Sequence, residues 1–308
     1  MKLPALTRSL CAALALTCSA ISCAASPTVI APRAAYPESP LWHAGRLFYV
    51  EYAANELRVW HDGVSASFWK PAQCGPSAVA EFGAAHLLVA CYDTNQLVEI
   101  DADGVELRRI ERDRDGRSFQ GPNDFTPDGA GGVYFTTSGE YALQAPITGT
   151  VQHLTADGVA SVLADTIHYA NGLARSHDGR QLLVAEMLAG RILEFPLLQD
   201  GTLGPRRVWA RLNDIAPPTP HSDAYNGPDG MKAGADGNYY IAQNGSARVL
   251  VVNEGKRLVR QIHVPTPYVT NVGLGPDGAV YITGLFDEWH APYTGAVYRW
   301  TPLKKLGH

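Results

Sequence analysis

Apolar residues along this chain fall in short runs separated by turn residues, a pattern typical of β-strands. Six times, such a run returns through a turn as a hairpin, at residues 41–50, 78–91, 125–137, 173–186, 231–243 and 272–283. The hairpins begin 37 to 58 residues apart. Repeated units of this size, made of strands throughout, predict an all-β fold, a six-bladed β-propeller.

Each unit continues with two more strand patterns. Third strands are expected at residues 57–60, 96–100, 150–154, 191–195, 248–252 and 296–300. Fourth strands follow turns such as Asp62-Gly63 and Asp157-Gly158, where glycine supplies the positive φ of a tight hairpin. The sixth unit has no fourth strand of its own. Residues 27–31 would complete it, so the ring is expected to be closed by an N-terminal strand.

The first 25 residues have the pattern of an export signal. Lys2 and Arg8 form a basic start, and the apolar run that begins at Leu10 is too short for a membrane span. We expect residues 1–25 to be a signal peptide and the protein to be periplasmic or secreted. A lipid anchor at Cys23 is the alternative, which is disfavoured because the preceding residues fit a lipid-attachment box only loosely.

The remaining residues 26–308 are enough for one large core, and we assign them to a single catalytic propeller domain. The full chain has a formal net charge of −5, which becomes −7 when Lys2 and Arg8 leave with the signal. The sequence contains no basic run, so no nucleic-acid partner is expected. The oligomeric state is not fixed by the sequence.

Cys74 and Cys91 are the two cysteines that follow the signal segment. They flank one predicted hairpin, whose midpoint lies near residues 81–84, so neighbouring strands would bring them close. An exported protein permits a disulfide. We expect a bridge that stabilises the fold by about 3 kcal/mol; two buried thiols are the alternative.

Four hairpins are preceded by a single oxygen-bearing side chain, namely Glu38, Asn123, Asn171 and Asp229. Asn171 and Asp229 each lie seven residues before the Asp of their Asp-Gly turn, and Asn123 lies seven before the equivalent Ala130. The inner strands of a propeller run along its central channel. We therefore expect these four side chains to meet at one mouth of the channel.

Two carboxylates and two amide oxygens form an all-oxygen set with a charge of −2. Such hard ligands, without thiolate or imidazole, favour one divalent cation, and calcium above zinc. Water or substrate would fill the remaining coordination positions, which is what a catalytic metal site requires. The alternative is that each residue only forms a turn, as Asn and Asp often do.

The segments around these residues closely resemble the gluconolactonase and regucalcin (senescence marker protein) family, over nearly all of residues 26–308. They read Pro37-Glu38-Ser39-Pro40-Leu41-Trp42, Gly121-Pro122-Asn123-Asp124-Phe125, Tyr169-Ala170-Asn171-Gly172-Leu173 and Gly227-Pro228-Asp229-Gly230-Met231. The resemblance implies a six-bladed propeller in which the matching Glu, Asn, Asn and Asp bind one divalent cation. Many members of the family open lactone rings.

The resemblance also implies roles for single residues. Asp229 would be both a metal ligand and the general base that draws a proton from the attacking water, while the cation polarises the lactone carbonyl. Asp124 would orient Asn123 or contact the substrate. Glu140 lies where a glutamate of the family lines the pocket, with an ordinary surface acid as the alternative. His168 would face the pocket or be structural.

Two departures from the family pattern bear on specificity. In the animal sugar-lactonase members an arginine stands two residues before the blade-three asparagine, where this chain has Gly121. Tight binding of a polyhydroxylated sugar acid is therefore not expected. The related paraoxonases use a histidine at the entry of blade two, where this chain reads Cys74-Gly75-Pro76-Ser77. A histidine-based mechanism is therefore disfavoured.

The sequence as a whole favours an exported, calcium-dependent hydrolase that opens a small-molecule lactone by attack of water. One alternative is hydrolysis of phosphotriesters or other esters at the same site. Another is a propeller without catalytic activity that binds a ligand and holds a structural cation. The long, proline-containing connection 215–226 is expected to overhang the cavity. Trp42, Trp69 and Trp289 are interpreted as packing residues of the propeller.

Overall fold

The structure, a computed structural model, describes residues 26–219 and 226–302. The expected signal peptide with Cys23, residues 220–225 of the long connection and residues 303–308 lie outside the described residues. Within the described residues, no helix has the length and apolar character needed to cross a membrane.

The described strands form six four-stranded antiparallel sheets arranged as the blades of a propeller. The N-terminal strand is β1 (Thr28–Ala35). Blade one contains β2 (Pro37–His43), β3 (Arg46–Glu51), β4 (Glu56–His61) and β5 (Val64–Trp69). Blade two contains β6 (Pro76–Phe82), β7 (His86–Cys91), β8 (Gln96–Ile100) and β9 (Glu106–Ile110). Blade three contains β10 (Pro122–Pro127), β11 (Val133–Thr137), β12 (Gly149–Leu154) and β13 (Ala160–Ile167).

The remaining blades follow the same order. Blade four contains β14 (Ala170–Arg175), β15 (Gln181–Glu186), β16 (Arg191–Pro196) and β17 (Arg207–Arg211). A short helix, α1 (Leu212–Ile215), follows it. Blade five contains β18 (Pro228–Ala233), β19 (Asn238–Gln243), β20 (Arg248–Asn253) and β21 (Leu258–His263). Blade six contains β22 (Tyr268–Leu274), β23 (Val280–Leu285) and β24 (Thr294–Trp300). Short 3-10 turns occur at Tyr52–Ala54, Met187–Ala189 and Pro276–Gly278.

The ring is closed by the N-terminal strand, which confirms the predicted architecture. β1 pairs antiparallel with β24 and becomes the outermost strand of blade six, with Thr28 opposite Arg299 and Ala35 opposite Thr294. The strand is longer than the predicted residues 27–31. Its pairing covers the edge that β24 would otherwise expose.

The hydrophobic core consists of apolar clusters between neighbouring blades. In β7, for example, Leu87 and Val89 pack toward blade one, whereas Leu88 and Ala90 pack toward blade three. Successive side chains of a strand point to opposite faces of the sheet, so a strand covered on both faces must be apolar at consecutive positions. This explains why the hairpins appear in the sequence as continuous apolar runs.

Every inner strand has a bulge near its beginning. In blade one the register shifts between Glu38 and Leu41, and in blade five it shifts between Pro228 and Met231. The inner strands thus begin before the oxygen-bearing residues, which the sequence pattern had placed just outside the strand. A bulge re-aims the side chains near it. The same local distortion therefore recurs at every entry to the channel.

The expected bridge between Cys74 and Cys91 is confirmed. Cys91 ends β7 and is buried, and Cys74 precedes β6 in the same blade. Asn55 fixes the approach to the bridge, because its Oδ1 accepts hydrogen bonds from the backbone N–H groups of Cys74 (2.9 Å) and Gly75 (2.8 Å).

The tryptophans do not all have the expected packing role. Trp42 stacks on Tyr281 with 5.5 Å between ring centroids, and Trp69 is buried between blades one and two. For Trp289 the expectation was wrong: the residue is 46% exposed. It lies on the connection between β23 and β24, beyond the part of the blade that packs against neighbouring sheets.

Candidate active site

The four predicted side chains line a single cavity at one end of the central channel. Glu38 projects from β2, Asn123 from β10, Asn171 from β14 and Asp229 from β18, each at the bulge of its inner strand. The cavity has a volume of about 410 Å³. Residues nearly two hundred positions apart in the chain are thus brought together because they occupy equivalent places in four blades.

Two hydroxyl residues occupy the same place in the other two blades. Ser77 follows Pro76 in β6 as Glu38 follows Pro37 in β2, and its Oγ donates to the carbonyl oxygen of Pro122 at 2.7 Å. Thr270 in β22 donates to the carbonyl oxygen of Pro37 at 2.8 Å. These two side chains connect the entry of their own blade to the entry of the next one. Both contribute to the ring, and Ser77 also lines the cavity beside the four oxygen donors.

The carboxylates of Glu38 and Asp229 are unfavourably placed as isolated charges. Burial, together with the nearby Asp124 carboxylate, raises the pKa of Glu38 to about 8. Burial raises the pKa of Asp229 well above its usual value, and the Glu38 carboxylate raises it further. Burial and the neighbouring carboxylates thus both disfavour the ionised forms of these two acids. A bound cation would supply the missing positive charge.

A fixed ion pair lies beneath the two carboxylates. Lys232 in β18 donates through Nζ to both carboxylate oxygens of Asp124, at 3.0 and 3.1 Å. The Asp124 side chain is only 1% exposed. The Lys232 ammonium and a hydrogen bond from Asn271 both lower the pKa of Glu38, although burial outweighs them. Asp124 is therefore committed to a lysine that lies two blades further along the ring.

Asn244 and Glu288 form a second polar group beside Asp229. Asn244 follows β19, and its Nδ2 donates to Oδ2 of Asp229 at 3.1 Å and to Oε2 of Glu288 at 3.4 Å. Both residues line the cavity. Burial raises the pKa of Glu288 to about 7. Sequence reasoning missed this pair, although Asn244 is the first residue after the second strand of its blade, a place that other cavity residues share.

None of the three residues that were expected to contact substrate lines the cavity. Asp124 is buried in the ion pair with Lys232 and is not part of the cavity lining. Glu140 is exposed and lines a neighbouring cleft of about 510 Å³, which shares Tyr92 with the cavity. His168 approaches the carbonyl oxygen of Ala142 at 3.4 Å through Nε2, and it does not line the cavity.

The described ends of the long connection after blade four do not line the cavity. Its residues 215–219 and Asn226 are absent from the lining. Thr219 donates to the carbonyl oxygen of Ser246 at 3.0 Å, which holds the connection against blade five. The whole connection 215–226 was expected to overhang the cavity, and its residues 220–225 lie outside the described part of the chain.

Aromatic residues make up much of the cavity lining, and sequence reasoning did not single them out. The tyrosines are Tyr36, Tyr52, Tyr92, Tyr141, Tyr169 and Tyr293. Four of them occupy repeated places. Tyr36 and Tyr169 stand two residues before Glu38 and Asn171, and Tyr52 and Tyr92 directly follow the second strands of blades one and two. Counting these positions in register, as was done for the oxygen donors, would have identified these four.

The donor set fits a hard divalent cation. Two carboxylates and two amides offer only oxygen ligands to the cavity, and the buried pair of acids lacks a compensating charge. Within residues 26–219 and 226–302, no group of three or more His, Cys, Asp or Glu side chains is arranged to hold a metal.

The fold and the cavity define a six-bladed propeller with an acidic, oxygen-lined site at one end of its channel. A sequence profile of the SMP-30/Gluconolactonase/LRE-like region matches residues 36–286. The chain therefore belongs to this family, and the resemblance noted in the sequence is confirmed.

Curated relatives include hydrolases of two kinds. Diisopropyl-fluorophosphatase of Loligo vulgaris is 26% identical over 192 residues, which cover 58% of this chain and 59% of the relative. Lactonase drp35 of Staphylococcus saprophyticus is 30% identical over 186 residues, which cover 58% of this chain and 53% of the relative. The chain thus spans somewhat more than half the length of these relatives.

Solved structures share the fold over nearly the whole chain. The calcium-binding protein regucalcin of Agrobacterium tumefaciens has a TM-score of 0.74 at 20% identity, with 90% of this chain and 94% of that chain covered. A gluconolactonase of Xanthomonas campestris has a TM-score of 0.73 at 21% identity, with 89% of each chain covered. At these identities the likeness establishes the common propeller.

Proposed function

We propose that this protein is a divalent-cation-dependent hydrolase of the lactonase type, with calcium as the cation. The family and the named relatives support hydrolysis of lactones or related esters. Export of the protein, with removal of residues 1–25, is part of the proposal. It rests on the basic start and apolar run of that segment.

The observation that carries the proposal is the convergence of Glu38, Asn123, Asn171 and Asp229 on a cavity large enough for a small molecule. These four residues would hold the cation. When bound, the cation would polarise the substrate carbonyl and stabilise the oxyanion that develops on it. Space beside the donor set favours catalysis over a purely structural ion, since a structural ion would be enclosed by its ligands.

The chain's own groups account for proton transfer and orientation. Asp229 accepts the proton of the attacking water at a carboxylate oxygen, while Asn244 holds its Oδ2. Asn171 is fixed from the neighbouring blade, because Thr136 donates to its carbonyl oxygen at 2.8 Å. Lys232 holds Asp124 away from the cavity and keeps a positive charge beneath Glu38.

Hydrolysis of phosphotriesters is the second candidate function. The supporting observation is the similarity to a diisopropyl-fluorophosphatase over 58% of this chain. A phosphoryl oxygen would take the place of the lactone carbonyl oxygen. A panel of lactones, carboxylic esters and phosphotriesters would rank these substrates by kcat/KM.

The replacement Asp229→Asn tests the mechanism. It retains the size of the side chain but removes its base, so we expect kcat to fall by about 10²–10⁴-fold. Asp62→Asn is the matched control, because Asp62 lies in an exposed turn with 88% side-chain exposure. Lactone hydrolysis should also stop in a chelator and return with calcium. Activity that is indifferent both to the chelator and to Asp229→Asn would refute the proposed mechanism.

A further inference from the structure

The tyrosines of the cavity form a nearly continuous surface, here called the aromatic wall: Tyr36, Tyr52, Tyr92, Tyr141, Tyr169 and Tyr293. Ring centroids are 6.0 Å apart between Tyr293 and Tyr36, and 5.3 Å apart between Tyr36 and Tyr52. The distance is 6.3 Å between Tyr52 and Tyr92, and 4.7 Å between Tyr141 and Tyr169. Such spacings are those of interacting aromatic pairs.

A stacked pair lies at the edge of the cavity, where Trp289, which is not part of the lining, packs on the lining residue Tyr141. Tyr141 lies on the connection after β11 in blade three, and Trp289 lies on the connection after β23 in blade six. Their rings are 6.1 Å apart between centroids and inclined by 15°. Blades three and six are opposite each other in a ring of six, so this pair extends the aromatic wall across the channel.

The wall presents rings more than hydroxyl groups to the cavity. Tyr52 donates its hydroxyl to Oδ1 of Asp93 at 2.7 Å, and Tyr92 donates to the carbonyl oxygen of Gly139 at 3.0 Å. Burial raises the pKa of Tyr36 and of Tyr169 well above the usual value, so both phenols remain uncharged. Two of the wall's hydroxyl groups, those of Tyr52 and Tyr92, are therefore already bound to protein acceptors.

The lining also disfavours anionic ligands. Among the described residues that line the cavity, none is Lys, Arg or His, whereas Glu288 adds a carboxyl group. A cationic side chain at position 121 would clash with its surroundings, because a Cβ atom on Gly121 would lie 2.7 Å from the ring of Tyr92. The Tyr92 ring thus occupies the space in which the arginine of a sugar lactonase would begin.

We propose that the aromatic wall selects an uncharged lactone or ester that carries a flat aromatic ring. The ring packs against the wall and the Tyr141–Trp289 pair, and the carbonyl group faces the four oxygen donors. Water adds to the carbonyl carbon, the ester C–O bond breaks, and the proton accepted by Asp229 passes to the leaving oxygen. This inference deepens the proposed function and rests on it.

Matched substrates test the inference directly. We compare kcat/KM for δ-valerolactone, for its benzo-fused counterpart and for glucono-1,5-lactone, in the calcium-loaded protein. The benzo-fused lactone should be preferred. In Trp289→Ala and in Tyr141→Ala, the preference for the benzo-fused lactone, measured as the ratio of its kcat/KM to that of δ-valerolactone, should fall roughly two- to tenfold, the range expected for loss of one aromatic contact.

Phe286→Ala is the control variant. Phe286 lies on the same connection as Trp289 and is 51% exposed. Neither residue is part of the cavity lining, but Trp289 stacks on the lining residue Tyr141. Its substrate preference should equal that of the unmodified protein. Preference for glucono-1,5-lactone, or a preference that neither wall variant changes, would overturn the inference.

A binding measurement separates this inference from the proposed function. Lactams are not hydrolysed under these conditions, so calorimetry can compare δ-valerolactam with its benzo-fused counterpart without turnover. Tighter binding of the benzo-fused lactam, weakened in Trp289→Ala, supports the aromatic wall even if every lactone proves inert and the proposed function fails. Equal binding of the two lactams would overturn the inference while leaving lactonase activity open to its own test.

Discussion

At the residue scale, the cavity brings together acids that are costly to bury as charges. Burial raises the pKa of both Glu38 and Asp229; the Asp124 carboxylate raises that of Glu38 further, and the Glu38 carboxylate raises that of Asp229. Asp229 receives a hydrogen bond from Asn244, and Glu38 receives one from Asn271. These contacts orient the carboxylates without neutralising them, so the electrostatics of the site depend on what binds there.

The stability of the metal-free protein should therefore depend on pH. The pKa of Glu38 rises from 4.5 to about 8 on folding, so the folded state binds this proton more tightly than the unfolded state does. The resulting stabilisation is present below pH 4.5 and is lost as the pH rises through about 8. Urea unfolding in a chelator should give a free energy of unfolding that falls over this interval.

Two comparisons check that prediction. Glu38→Gln should flatten the pH dependence, because an amide does not titrate in this range. Calcium should stabilise the unmodified protein more at the upper end of the interval than at the lower end, since the carboxylates must be deprotonated to bind it. A free energy of unfolding that rises with pH in the chelator would contradict the prediction.

The Lys232–Asp124 ion pair gives a prediction about stability alone. Lys232→Met leaves the carboxylate of Asp124 buried without its partner, which should lower the free energy of unfolding by about 3–5 kcal/mol. The double variant Lys232→Met/Asp124→Asn should recover most of this loss, because it removes the unpaired charge. Urea denaturation of the two variants measures the difference. Equal stabilities would show that the pair has no such role.

At the element scale, every inner strand begins with a bulge that orients one polar side chain. A bulge directs one side chain toward the cavity or toward the next blade, as Asp229 and Ser77 respectively illustrate. The residue two positions earlier is a tyrosine in blades one and four, Tyr36 and Tyr169. It is a glycine in blades three and five, where a Cβ atom would clash, at Gly121 with the ring of Tyr92 and at Gly227 with the carbonyl oxygen of Met187. Under the proposed function, neighbouring positions of this short element would hold the cation and shape the substrate site.

The disulfide belongs to this scale because it fixes one such entry. Cys74 and Cys91 are 17 residues apart, and their bridge holds the approach to β6 against the end of β7. The double replacement Cys74→Ala/Cys91→Ala should lower the free energy of unfolding by about 2–4 kcal/mol. A reductant should lower the melting temperature of the unmodified protein and leave that of the variant unchanged. Equal effects of reductant on both would contradict this.

At the scale of the whole molecule, the first strand and the last blade are joined to make a closed ring. Ala31 and Ala34 of β1 pack with Leu47 and Tyr49 of blade one, as well as with residues of blade six. The closing interface is thus built in the same way as the interfaces between consecutive blades. The site depends on this closure, because Glu38 lies directly after the closing strand.

Closure of the ring can be tested by introducing Asp at two positions of β1, one buried and one exposed. Ala34 is 3% exposed, whereas Val29 is 50% exposed. Ala34→Asp places a charge in the interface and should reduce the free energy of unfolding by several kcal/mol, while Val29→Asp should change it by about 0.5 kcal/mol or less. Thermal unfolding compares the two, and calcium affinity should decline only for Ala34→Asp. Similar effects of both variants would argue against a packed closure.

Much of the architecture could be predicted because it is repeated. The apolar hairpins, their Asp-Gly turns and the register of Glu38 and Asp229 recur at intervals that the sequence displays directly. The pairing of Cys74 with Cys91 followed from a hairpin, which is a local structure. By contrast, the ion pair of Asp124 with Lys232 joins positions 108 residues apart with no pattern to connect them.

The sequence by itself determined the six-fold repeat, the closing strand and the placement of four oxygen-bearing residues at equivalent entries, because each follows from short-range periodicity and turn chemistry. Only the tertiary structure decided the neighbours of those four residues. Asn244 and Glu288, the paired rings of Tyr141 and Trp289, and the lysine beneath the acids come from different blades. Their contacts depend on how the ring closes and on how the connections between its strands bend. The local sequence encodes neither of these.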